Sequence, residues 1–169
     1  MRSFGISLIL VALSAMALPS QQPPSSIEPP EGASVVLQAK GDGVQIYTCT
    51  EAAGAMKWVL KGPDAKLMDA SGQVLGTHFA GPTWKLNDGG EVKGELVGTK
   101  PSPETTSIPW LLLRAKAGSA SGTLATVAFI RRTETHGGVA PASGCQASQD
   151  AGKTVQVPYT ATYTFYAEK

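Results

Sequence analysis

Between Val155 and Phe165 apolar side chains fall on every second residue: Val155, Val157, Tyr159, Ala161, Tyr163 and Phe165, with Gln156, Thr160, Thr162 and Thr164 between them. A helix would repeat its apolar residues at i, i+3, i+4 and i+7, so a period of two commits the segment to a half-buried antiparallel strand. Pro158 has no N–H to give to a ladder and is expected at an edge or a bulge. Shorter runs of the same kind occupy residues 35–39, 44–49, 57–60, 92–97, 110–117 and 123–131. Turn signals lie between them at 41–43 (Gly-Asp-Gly), 70–72, 87–90 and 118–122. No 11-residue window carries capped helical spacing, and a single helical turn is expected at 64–69, after Pro63. The pattern predicts a mostly β chain: one domain over residues 34–169, an antiparallel β-sandwich or small β-barrel of seven to nine strands.

The 19 glycines and 12 prolines exceed ordinary usage, which suits a turn-rich domain, and only 16% of residues are charged. A net charge of +1 supplies no field for phosphate and excludes a basic nucleic-acid binder. Residues 1–17 read as a signal peptide: Arg2, a short apolar run over 4–13, and small residues Ala15 and Ala17 before a cleavage point. The run is too short to span a bilayer, and no later stretch is apolar enough to do so. Losing Arg2 with the leader leaves 13 basic and 13 acidic residues, a neutral mature chain. Residues 18–33 hold five prolines and few large apolar side chains, and read as a flexible lead-in. The expected location is extracellular or periplasmic.

Export bears on the two cysteines, Cys49 and Cys145. An oxidising compartment favours a disulfide between them. The competing arrangement, Cys145 as a nucleophile with His136 as its base, requires a free thiol outside the cell and leaves Cys49 without a partner.

The densest group of chemically capable residues runs from Gly76 through His78, Gly81, Pro82 and Trp84 to Asp88. In a functional reading His78 is a base or ligand, Asp88 orients it, and Trp84 is a stacking wall. In a packing reading His78 sits at a strand end, Trp84 fills core and Asp88 shapes a turn. Trp110, in the apolar run 108–113, is either a core anchor or part of a docking surface. Arg131 and Arg132 could hold an anion, pair with Glu134 or be solvated. Two histidines, with no H-x-H, H-E-x-x-H or C-x-x-C, give no reason to expect a metal, and no cofactor motif occurs. No nucleophile elbow is present either.

Several segments in order resemble a family of secreted proteins catalogued as domain of unknown function 3455. They are residues 43–49, 78–84 with Asp88-Gly89, 108–112, 137–141 with Cys145, and 157–161. The resemblance implies an exported single domain with both cysteines matched, and brings no reaction, ligand or cofactor. His78, Trp84 and Asp88 fall on its motif, whereas His136 departs from it, which counts against a site requiring both histidines. Three functions compete. The first is a non-catalytic, monomeric module binding a small molecule or surface component through His78, Trp84 or Trp110. The second is a hydrolase-like enzyme using His78 with Asp88, and the third a structural or stress-protective secreted protein. A buried His78 bonded only to backbone would remove the second.

Overall fold

The computed structural model describes residues 26–169. The expected leader at 1–17 and the first part of the lead-in, 18–25, lie outside the described residues. Eight strands follow in order: β1 (Ser34–Ala52), β2 (Ala55–Met68), β3 (Val74–Phe79), β4 (Thr83–Leu86), β5 (Glu91–Lys100), β6 (Trp110–Ala115), β7 (Val127–Gly137) and β8 (Thr154–Ala167). Each pairs antiparallel with the next, and β8 returns to pair with β1 from Ser34↔Ala167 to Thr48↔Thr154. The result is one sheet that closes in a ring rather than two stacked sheets. No helix among the described residues is long and apolar enough to cross a membrane.

The alternation in β8 works as its period demands. Tyr159, Ala161, Tyr163 and Phe165 all point into the ring and belong to its core with Leu67, Trp84, Leu113 and Ile130. Pro158 sits just beyond Gly137↔Tyr159, the last pair that β7 makes with β8, where its carbonyl still accepts from Gly138 N–H at 2.9 Å but no regular ladder needs its nitrogen. That is the edge position its missing N–H requires.

Two expectations about local structure fail. Residues 41–43 are not a turn: β1 runs through them without a break. Their glycines serve close approach instead. A Cβ on Gly41 would stand 2.5 Å from the Tyr163 ring, and one on Gly43 would stand 2.2 Å from the Asp64 carbonyl oxygen. Residues 64–69 form no helical turn either, since β2 continues to Met68, held by β1 on one side and β3 on the other. Pairing from both neighbours overrides the turn-like composition around Pro63.

The lower end of the ring is filled. Leu124, carried by a short 3-10 turn at Gly122–Leu124, is fully buried in the same cluster as Leu86, Val92, Val127 and Phe165. At the upper end β1 and β2 extend beyond the ring to a two-residue hairpin turn at Ala53 and Gly54, both with positive φ. The segment after β7 folds back over this extension. Cys145 is disulfide-bonded to Cys49, Trp58 Nε1 donates to the Ser143 carbonyl at 3.0 Å, and the Tyr47 hydroxyl donates to the Gly138 carbonyl at 2.6 Å.

A second, smaller apolar cluster lies on the outside of β6 and β7. Leu112 and Phe129 are covered there by Ile27, with Trp110 packed at the margin. Glu28 pairs with Arg131 beside it. The described end of the lead-in is therefore laid against the domain by one apolar residue and one ion pair.

Candidate functional site: an aromatic-walled cavity

His78 and Trp84 are direct partners across the β3–β4 hairpin. The chain reverses between them through Gly81, whose φ of +91° suits only a residue without a Cβ, and Pro82. The two rings stack with centroids 4.4 Å apart and planes inclined by 7°. Tyr163 closes on both edge-on, 4.9 Å from His78 and 5.6 Å from Trp84, and Phe165 meets Trp84 at 5.9 Å. Such offset and edge-on arrangements match the positive ring edge to the negative ring face.

The chemistry of His78 follows from its surroundings. Its Nδ1 lies 2.9 Å from the Thr83 carbonyl oxygen, which can only accept, so Nδ1 carries the hydrogen and Nε2 is bare. Burial pushes its pKa down to about 3, with the Arg132 charge acting in the same direction. His78 is therefore a neutral imidazole at physiological pH.

Beside this stack lies a half-open cavity of about 510 Å³. Leu60, Pro63, Pro82, Leu96, Leu111 and Leu113 supply its apolar wall, and Gln45, Arg132 and Tyr163 its polar one. The side-chain NH2 of Gln45 and the indole N–H of Trp84 are buried without a hydrogen-bond partner among the described residues. Arg132 faces inward because it pairs with Leu111, in phase with the core pair Leu113↔Ile130. Its Nε and Nη2 donate to the Pro109 carbonyl at 3.2 and 2.7 Å. Burial raises the pKa of Tyr163 and Tyr159, and their hydroxyls lie 3.1 Å apart.

The opening of the cavity has a topological origin. The β3–β4 hairpin is short: β2 last pairs with β3 at Asp64↔Phe79, and β4 with β5 at Thr83↔Lys93. Beyond that level residues 60–63 of β2 and 94–96 of β5 lack a strand between them. The turn residues Gly81 and Pro82 form the sill of the gap, with Pro82 accepting from Gly94 N–H at 3.0 Å. Leu60 and Leu96 stand at its sides, both more than half exposed, beside the exposed charges of Lys61 and Glu95.

The structure brings His78 and Trp84 together, and adds Tyr163 and Arg132 to them. It does not bring Asp88 to His78. Asp88 lies in the β4–β5 turn at the far end of the hairpin, where it accepts from Gly90 N–H at 2.9 Å and from the Thr123 hydroxyl. Those hydrogen bonds, Thr123 first, pull its pKa below the ordinary carboxylate value. Trp110 is in the outer cluster, away from the cavity. His136 is exposed and its Nδ1 lies 3.1 Å from Glu104, which also accepts from Ser107. Among the described residues no group of three or more His, Cys, Asp or Glu is placed to hold a metal ion.

Gln45, Arg132 and Tyr163 were not singled out as cavity residues by the sequence reading. Their signal was phase: each is a polar or amphipathic residue at an inward position of a strand whose period is two.

Fold and cavity together define an up-and-down antiparallel β-domain with an internal pocket of ligand size. The chain belongs to the family described as Protein of unknown function (DUF3455), which matches residues 29–167. No curated protein and no solved structure matches it.

Proposed function

We propose that this protein is an exported, non-catalytic, monomeric binding module that takes a small, largely apolar organic molecule into the cavity beside the His78–Trp84 stack. The observation that carries this reading is the cavity itself. About 510 Å³ lies within the roughly 300–1,000 Å³ common for ligand pockets, and an apolar wall with a few polar groups is their usual lining. Catalysis through His78 finds no support. Burial leaves the imidazole a weak base with a pKa of about 3, its Nδ1 is spent on a backbone carbonyl, and Asp88 serves a turn. Export is supported by the leader pattern at residues 1–17 and by the Cys49–Cys145 disulfide, which suits an oxidising compartment.

The test uses a neutral fluorescent probe, N-phenyl-1-naphthylamine. The wild-type protein is expected to enhance its emission on binding. Leu111→Trp, which narrows the cavity, is expected to weaken that binding at least tenfold while the fold, followed by circular dichroism, is kept. An absent enhancement, or one equal in both proteins, would overturn the reading. Mass spectrometry of the exported chain should find residue 18 as its first, and light scattering should give the mass of one copy.

A further inference from the structure

We infer that the molecule bound in this cavity is an apolar-bodied organic carboxylate whose headgroup is held by Arg132 and the Tyr163 hydroxyl. The inference rests on the cavity being a binding site, and adds the chemical class.

Arg132 is a half-buried charged residue at an inward position of a closed sheet, at a cavity lined by aromatic rings and leucines. Taking even part of a guanidinium out of water carries a cost that an accompanying anion offsets. Among the described residues no carboxylate pairs with Arg132. Its neighbour Arg131, on the outer face, does have one in Glu28. The Pro109 carbonyl engages two donors of Arg132 and fixes the plane of the fork, but carries no charge. A planar fork with donors to spare is the geometry that recognises a carboxylate.

Tyr163 supplies a further donor. The Tyr159 and Tyr163 hydroxyls share one hydrogen bond, so one of their two hydrogens has no acceptor among the described residues. With Tyr159 as donor, the spare hydrogen belongs to Tyr163, which lines the cavity. Arg132 lines the same cavity, and its charge opposes the burial that raises the Tyr163 pKa. The orphaned N–H groups of Gln45 and Trp84 add donors to the cavity, where the bare Nε2 of His78 and the Gln45 carbonyl oxygen are acceptors. At the opening the charges of Lys61 and Glu95 offset one another. Arg132 is then the charge that decides which headgroup the cavity accepts.

The test compares decanoate, decanol and decylamine by isothermal titration calorimetry at neutral pH, with competition against N-phenyl-1-naphthylamine as a second readout. Decanoate is expected to bind the wild type at least tenfold more tightly than decanol, and decylamine more weakly than either. Arg132→Gln should erase the preference for decanoate over decanol while the neutral probe still binds, and Tyr163→Phe should reduce it. Arg132→Lys, which keeps charge but not the fork, should retain part of it. Equal affinity of the wild type for decanoate and decanol would overturn the carboxylate assignment and leave the cavity reading standing. So would a preference that survives Arg132→Gln. Failure of all three compounds and of the neutral probe would overturn both. The wild-type comparison decides the matter even if Arg132→Gln does not fold.

Discussion

His78 and Trp84 lie directly opposite each other on β3 and β4 and stack with nearly parallel planes, centroids 4.4 Å apart, both almost wholly buried. A histidine in that position contributes a flat ring and one hydrogen bond to the core, and does so as a neutral group.

Acid should therefore weaken the fold earlier than carboxylate titration alone would. The folded His78 protonates near 3, whereas the unfolded chain protonates it at the ordinary 6.5. Between those values the unfolded state binds the extra proton, so stability falls as pH drops through the window, by up to about 1.4 kcal/mol per pH unit. Above 6.5 the contribution is fully present. Asp69, Asp88, Glu104 and Asp150, all held below their ordinary values by hydrogen bonds, add their losses only at lower pH. Urea unfolding followed from pH 6.5 down to about 5 should show the slope, and His78→Phe should flatten it. A wild type with constant stability over that range would contradict the assignment.

Trp84→Ala should be among the most damaging single substitutions, costing about 3–5 kcal/mol through the cavity it leaves against His78, Tyr163 and Phe165. Trp110→Ala, in the smaller outer cluster, should cost less than about 2 kcal/mol. Chemical denaturation of the two variants gives the order. A reversed order would mean that the core is not centred on Trp84.

The disulfide links residues 96 apart in sequence, and reduction should lower stability by up to about 4.7 kcal/mol on the chain-entropy account. The double variant Cys49→Ser/Cys145→Ser should match the reduced protein. Hydrogen exchange should then rise first at the β1–β2 tip and in the segment after β7, because the ring's own ladders remain. Uniform acceleration over all eight strands would show instead that the crosslink supports the whole ring.

Gly43→Ala places a methyl against the Asp64 carbonyl and the Ala65 Cα, backbone atoms that have no rotamer by which to yield. The expected cost is about 1–3 kcal/mol or more, although the site lies in a strand, where alanine is ordinarily the safer residue. Gly72→Ala, at a positive-φ turn with nothing near its side chain, should suffer only from backbone strain. Thermal melting of both variants separates the two uses of glycine. A neutral Gly43→Ala would remove the close-approach argument.

That distinction also marks where the sequence stopped being readable. The strand β8 was plain because a period of two over six apolar positions admits one arrangement. Gly41 and Gly43 were misread as a turn because a glycine needed for positive φ and one needed under a neighbouring ring look alike in sequence. Asp88 was joined to His78 on proximity in the chain. A hairpin sends residues on either side of its short strand to opposite ends, and only the register reveals that. Arg131 and Arg132 carried equal weight until the Leu111↔Arg132 pairing put one outside, with Glu28, and the other inside, with Tyr163. Family membership was legible because its motif residues run through most of the chain. The cavity was not, since it is made by the absence of a strand between β2 and β5.

Because the aperture is set by where the β3–β4 hairpin stops, the size of the opening is independent of the groups that line the cavity. Adding residues in pairs at Ala80–Pro82 would preserve the facing of every side chain and draw the shutter upward between Leu60 and Leu96. Shortening the hairpin would lower the sill toward the His78–Trp84 stack. Insertion and deletion in one exposed turn would thus resize the opening, leaving the buried groups that line the cavity and the folded core untouched.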